Sequence, residues 1–247
     1  MPKALSRLGQ RGNPSFQIAI GARPVRRWNS WYDPELVTQA GEKILMDLDT
    51  WAISELRKHK LVWSSWGSAQ TLGGLHTPIA DSGWGIRRVN GINPKKLRLF
   101  FLSLLWRAAA TSRPEFAGVQ MPADDLEQLR IMLCSSDPEP ISFYPSQLTQ
   151  LSTVGDMHNY APIADVKTIP SLEEGGVPRD LPFFRFYFDG LIAHTHRHAS
   201  DDGFTASLGH MIVGGDKKLT FGTQTYERSM QASTVNSVVT RALRAWK

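Results

Sequence analysis

The chain has one cysteine, Cys134, in 247 residues. A single thiol excludes an intramolecular disulfide and any cysteine-rich zinc site. It is also the cysteine usage of a reduced, cytoplasmic setting. Long apolar runs are missing: the longest, Leu97 to Ala110, is broken by Arg98, Ser103 and Arg107. That run is too short for a bilayer and is expected to be a buried core helix, with no membrane partner. The basic N-terminus has no apolar stretch behind it, so it lacks the pattern of a signal peptide. No G-x-S-x-G elbow, P-loop or dinucleotide fingerprint occurs, which removes the common nucleophile and nucleotide motifs. Acidic residues are absent before Asp33 and histidines before His59. The carboxylate pairs Asp124–Asp125 and Glu173–Glu174 are adjacent in sequence and read as caps or solvated groups.

What the chain does have is 41% hydrophobic residues, enough for a sizeable core, and a net charge of +5. The charge is uneven. Lys3, Arg7, Arg11, Arg23, Arg26 and Arg27 precede the first acid, and Trp28, Trp31 and Tyr32 follow directly. Guanidinium groups beside aromatic rings suit phosphate contact and base stacking. The plain alternative is a basic tail that only aids solubility.

Three regions follow: a basic arm over 1–27, a mainly helical region over 28–140, and a strand-rich region with a C-terminal helix over 141–247. They are also compatible with one continuous domain. Phe16 to Ile20 is a short strand candidate. Asp33-Pro34 is a helix-start signal, and Ile44, Leu45, Leu48, Trp51, Ala52 and Leu56 recur at helical spacing up to about Lys60. Leu61 to Trp66 is a possible strand, and 67–93 a long loop with a strand at Gly85 to Val89. Asn93-Pro94 starts a helix over 94–111 that is apolar on almost every side and belongs at the centre. A third helix spans 122–134 and ends at Cys134, which is expected to pack. Asp189-Gly190 predicts a tight hairpin between 183–188 and 191–197. A second turn at Val213 to Asp216 would join strands 209–213 and 218–226. The last helix is expected after Ser233 or Thr234. Helices first and strands later give an α+β class, with the strands in an antiparallel sheet.

Two blocks carry a resemblance. Tyr32 to Glu42 (YDPELVTQAGE) and Lys96 to Ala108 (KLRLFFLSLLWRA) are similar to segments of uncharacterised bacterial proteins related to HNH endonucleases, and the likeness covers roughly 28–151. Many of those proteins carry a C-x-x-C zinc knuckle where this chain has Thr38 and Gly41. Kinship would imply a ββα-metal nuclease, with a histidine base and a bound ion steadying the leaving oxygen. Here the knuckle cysteines and the N-terminal histidine are both missing, so no nuclease residue carries over. The resemblance therefore implies a non-catalytic member.

One cluster remains for chemistry. Strand alternation puts His194, His196 and His198 on one face. Such spacing suits a divalent transition metal, with Asp201, Asp202 and His210 as further ligands. The hairpin register, however, sets Arg185 opposite His194. A fixed guanidinium there opposes a cation and favours an anion such as phosphate. A third option is an exposed polar face with no ligand. Trp63, Trp66 and Trp84, with Trp28 and Trp31, either pack over the central helix or form a binding surface.

The leading expectation is a non-catalytic protein that binds nucleic acid or a nucleoprotein assembly, through Arg23, Arg26, Arg27, Trp28 and Trp31, with Lys95 and Lys96 on phosphates and no cofactor. One alternative is a metal-dependent nuclease or phosphodiesterase using the histidine strand. Another is a protein-interaction module, possible also as an oligomer, of a bacterial defence or mobile-element system. Metal content separates the first two. Untagged protein is expected to carry no stoichiometric transition metal by mass spectrometry, and one metal per chain would place the chemistry at the histidine strand.

Overall fold

The computed structural model describes residues 15–17, 25–27, 33–156, 158, 161–169, 177–197 and 208–245; at 15–17, 25–27, 169, 179, 241–243 and 245 this is backbone only. The chain is α+β. Strands β1 (Ser15–Gln17) and β2 (Val25–Arg27) form a separate antiparallel pair. Then come α1 (Gln39–Lys58), β3 (Thr77–Pro78), β4 (Trp84–Val89), α2 (Pro94–Ala110) and α3 (Ala123–Ser135). After these follow β5 (Ser146–Leu151), β6 (Ile163–Ile169), β7 (Arg179–Phe188), β8 (Leu191–His196), β9 (Leu219–Gln224) and α4 (Met230–Ala245). One seven-stranded sheet has the order β3-β4-β9-β5-β8-β7-β6. It is mixed rather than purely antiparallel, because β5 and β9 run parallel. Among the described residues, no helix is long and apolar enough to cross a membrane.

Local chemistry explains the helices. Asn93 Oδ1 accepts from Lys96 N at 3.0 Å and Pro94 occupies the first position, so α2 starts where the sequence places it. Leu97 to Leu105 are all buried, including Arg98. Helix α1 starts later than Asp33-Pro34 predicts. Asp33 instead accepts from Glu35 N and from the Thr111 hydroxyl at 2.5 Å, tying the approach to α1 to the end of α2. The cap is Thr38. Helix α4 starts a turn before Ser233, because Ser229 Oγ accepts from Ala232 N at 3.2 Å. Cys134 is exposed, with Arg130 Nη1 3.8 Å from its sulfur, rather than packed.

The β7–β8 hairpin has the expected register, Phe188 with Leu191 and Arg185 with His194. Asp189 (φ 51°) and Gly190 (φ 86°) both take positive φ, as the two-residue turn requires. A Cβ at Gly190 would stand 2.4 Å from the Trp63 ring. This turn also settles the segment expected as a strand over 61–66. Trp63 N donates to Asp189 O at 2.8 Å and Ser64 N to Asp189 Oδ2 at 2.9 Å, so Trp63–Ser65 curls into a short 3-10 turn. Likewise Gly209–Met211 is a 3-10 turn, not a strand, followed by a single bridge from Ile212 to Gln147.

One continuous core joins α1, α2 and α3 to the sheet face carrying Leu148, Phe184, Phe186, Phe188, Ala193 and Phe221. A second cluster, including Trp63, Trp66, Leu151, Tyr187, Ile192 and Tyr226, covers part of the opposite face. Arg98 reaches from α2 to the segment before β5. Its Nε donates to Pro138 O (2.9 Å), Nη1 to Tyr144 O (3.3 Å), and Nη2 to Pro140 O (3.1 Å) and Phe143 O (2.5 Å). Burial lowers its pKa to about 10, which leaves it charged at neutral pH. Arg98→Met strands these four carbonyls in the core. The expected loss is about 3–5 kcal/mol by urea denaturation, with Arg98→Lys restoring only part, since an ammonium lacks the planar fork.

Candidate functional site

Thr38 and Gly41 meet at the start of α1. Thr38 Oγ1 accepts from Gly41 N at 3.3 Å, the N-cap bond of α1. A hydroxyl in this place stabilises the first turn as a side-chain acceptor for its free N–H groups.

The predicted nucleic-acid residues are scattered. Arg23, Trp28 and Trp31 lie outside the described residues. Arg26 and Arg27 are in β2, opposite Phe16 and Ser15; only their backbone is described. Lys95 and Lys96 sit in the first turn of α2, and both are engaged. Lys95 Nζ pairs with Glu139 at 2.9 Å, and Lys96 Nζ stands 4.8 Å over the Trp51 ring. They border a groove of about 650 Å³ whose floor includes Leu48, Leu99 and Leu133. Asp47 and Asp137 line the same groove, so its positive charge is offset. Trp63 and Trp66 are buried, and Trp63 Nε1 donates to Leu151 O at 3.4 Å.

Trp84 differs. It is 46% exposed on β4, whose side chains alternate sharply. Gly85, Arg87 and Val89 face the helices, while Trp84, Ile86 and Arg88 face the other side. On β9 their partners are Gln224, Gly222 and Thr220, which are polar or small. This strip is therefore flat beside the indole. Arg88 is exposed and makes no hydrogen bond or ion pair among the described residues. Arg87, by contrast, points inward and donates to His59 O (2.6 Å), Lys60 O (3.0 Å) and Gln150 Oε1 (2.5 Å). The sequence marked Trp84 only as one indole among several. What singles it out is the outward-facing phase of β4 and the small residues beside it.

Further across the same face stands the histidine strand. His194 lies between Gln147 of β5 and Arg185 of β7. The Phe183 ring is 4.5 Å from His194 and 6.0 Å from His196. His196 Nε2 contacts Gln147 Oε1 at 3.3 Å, which makes this nitrogen the donor. The face is not the exposed polar surface that alternation alone allows. His196 and Arg185 are buried and His194 is half-buried. Met230 of α4 lies against Arg185, and His158 stacks on Tyr187 at 4.4 Å. His198, Asp201 and Asp202 lie outside the described residues. His210 instead meets Asp216 at 2.5 Å on the surface. Among the described residues, no three His, Cys, Asp or Glu side chains are grouped to hold a metal.

Burial keeps both imidazoles neutral. Desolvation, then Arg185, His196 and Lys167, pushes His194 down to about 3. Desolvation, then Lys167, pushes His196 down to about 4. The unfolded chain therefore binds more protons than the native one once the pH falls below the ordinary value of 6.5. Stability is expected to fall on acidification from about pH 6.5 toward 4, by at most about 1.4 kcal/mol per pH unit per histidine. A His194→Gln, His196→Gln variant should show a flatter dependence of urea midpoint on pH. Compared with known protein families, curated proteins and solved structures, the chain matches none.

Proposed function

We propose that the protein binds nucleic acid without carrying out a reaction on it, and that the open strip of the sheet around Trp84 is a contact surface. The observation that carries this reading is a nearly half-exposed indole on the same face as an unpaired guanidinium, Arg88, with small and polar residues alongside. An exposed indole offers a stacking plate to any unpaired base, and Arg88 offers a phosphate contact two residues away. Strand bases reach such a plate only when splayed out, so the reading favours single-stranded nucleic acid. The basic arm, with Arg23, Arg26, Arg27, Trp28 and Trp31, supplies further positive charge and aromatic surface. Lys95 and Lys96 contribute less, because each already has a partner.

The reading includes descent from HNH-like proteins without their metal site. In that descent Thr38 and Gly41 stand at the knuckle positions, and the Thr38 side chain caps α1. A protein partner docking on Trp84, Ile86 and Ile79 is the competing use of the same exposed strip.

Fluorescence anisotropy with a labelled single-stranded oligonucleotide tests the proposal. Trp84→Ala is expected to cost about 1–3 kcal/mol of binding, with Trp84→Phe closer to wild type. Arg88→Ala should weaken binding to all sequences alike and lower the salt slope by about one. Arg23, Arg26 and Arg27 changed together to Glu should abolish binding with no change in Tm. Unaltered binding in the Trp84 and Arg88 variants would remove the sheet from the interface.

A further inference from the structure

Three arginines are buried among the described residues: Arg87, Arg98 and Arg185. Two of them are anchored by oxygen acceptors. Arg98 donates to four backbone carbonyls, and Arg87 to two carbonyls and the Gln150 side chain. Arg185 is only 6% exposed, yet among the described residues no oxygen accepts from it. Its one polar contact is Nη1 to the Met230 sulfur at 3.9 Å. A thioether is a weak acceptor and carries no charge. A guanidinium that no carboxylate or carbonyl engages keeps its full set of N–H donors for an anion.

The surroundings add positive charge and one carboxylate, which is engaged with the backbone. His194 stands directly opposite Arg185 on β8 and makes no hydrogen bond among the described residues. Lys167 lies on the same face of the neighbouring β6, exposed and likewise unpaired. The carboxylate on that face, Asp165, is opposite Phe183; its Oδ1 accepts from Val166 N, and it pairs with neither cation. His196, the other titratable group beside His194, is turned to Gln147.

We propose that Arg185, His194 and Lys167 form a binding site for a single phosphate group, free or as a monoester. The guanidinium fork matches two oxygens of a tetrahedral oxyanion. A neutral imidazole still has one N–H to donate to a third. The ammonium of Lys167 adds charge from the exposed side of the face. A divalent cation is disfavoured by the same two fixed positive charges.

The site does not depend on the Trp84 surface. β4 and β7 are separated by β9, β5 and β8 in the sheet. The test is the Tm of the full chain, with inorganic phosphate titrated against sodium chloride at constant ionic strength. A saturating rise in Tm is expected, because a ligand that binds only the native state stabilises it. Arg185→Met should abolish that rise, with a Tm in chloride equal to or above that of wild type, since the variant removes an uncompensated charge. The exposed variant Lys167→Ala, which cannot disturb the core, should weaken phosphate binding about tenfold by calorimetry. Trp84→Ala should leave the phosphate response intact, so failure of the nucleic-acid reading is separable from failure of this one. A 5′-phosphorylated oligonucleotide that displaces phosphate better than its 5′-hydroxyl counterpart assigns the site to strand ends. Equal displacement assigns it to free phosphate. No rise in Tm for wild type, or an equal rise in Arg185→Met, overturns the proposal.

Discussion

The buried guanidinium of Arg98 is the joint on which the two layers meet. It leaves the central helix and holds four carbonyls of the segment over 138–144. That segment leads directly into β5, the middle strand of seven. Helix α2 is buried on nearly all sides, so its position fixes α1 and α3 around it, and Arg98 fixes the sheet to α2. Each hydrogen bond is between a charged donor and a neutral acceptor, which makes the charge tolerable without a carboxylate.

The sheet is unlike on its two sides. The helix-facing side is covered along β4, β9, β5, β8 and β7 by apolar side chains. The other side runs from covered to open. At β7 and β8 the start of α4 and His158 lie over it, while at β4 nothing among the described residues covers Trp84, Ile86 or Arg88. Arg88, Lys167, His194 and Arg185, which have no oxygen partner among the described residues, all belong to that second side. Stability thus concentrates on one face and unspent binding capacity on the other.

What the sequence made legible was what local chemistry decides. The Asp189-Gly190 turn follows from two positive φ values, and it carried the Arg185–His194 register with it. Helix α2 follows from Asn93-Pro94 and its apolar run. Misreadings came where a distant group intervened. Thr111 took Asp33 away from its capping role, and Asp189 curled Trp63–Ser65 out of a strand across 125 residues. Cys134 fell on the outer face of a helix whose ends alone were predicted. The histidine face was legible as a face, but its burial was not, because groups far along the chain lie against it, Met230 of α4 on Arg185 and His158 on Tyr187. The situation of Arg185 had no sequence signal at all, for it consists in no oxygen among the described residues accepting from it.

Strand β9 is the last strand of the chain, yet it lies between β4 and β5. On a ribosome the sheet therefore exists as two pieces, β3-β4 and β5-β8-β7-β6, until residues 219–224 emerge. Both pieces offer an unpaired edge during that interval, and each edge has the length of a full strand. Closure then needs β9 to pair antiparallel with β4 and parallel with β5 at once, over long stretches of chain, which is a slow step. The interior seam of the finished sheet is thus the place where the newborn chain is most open to pairing with a neighbour.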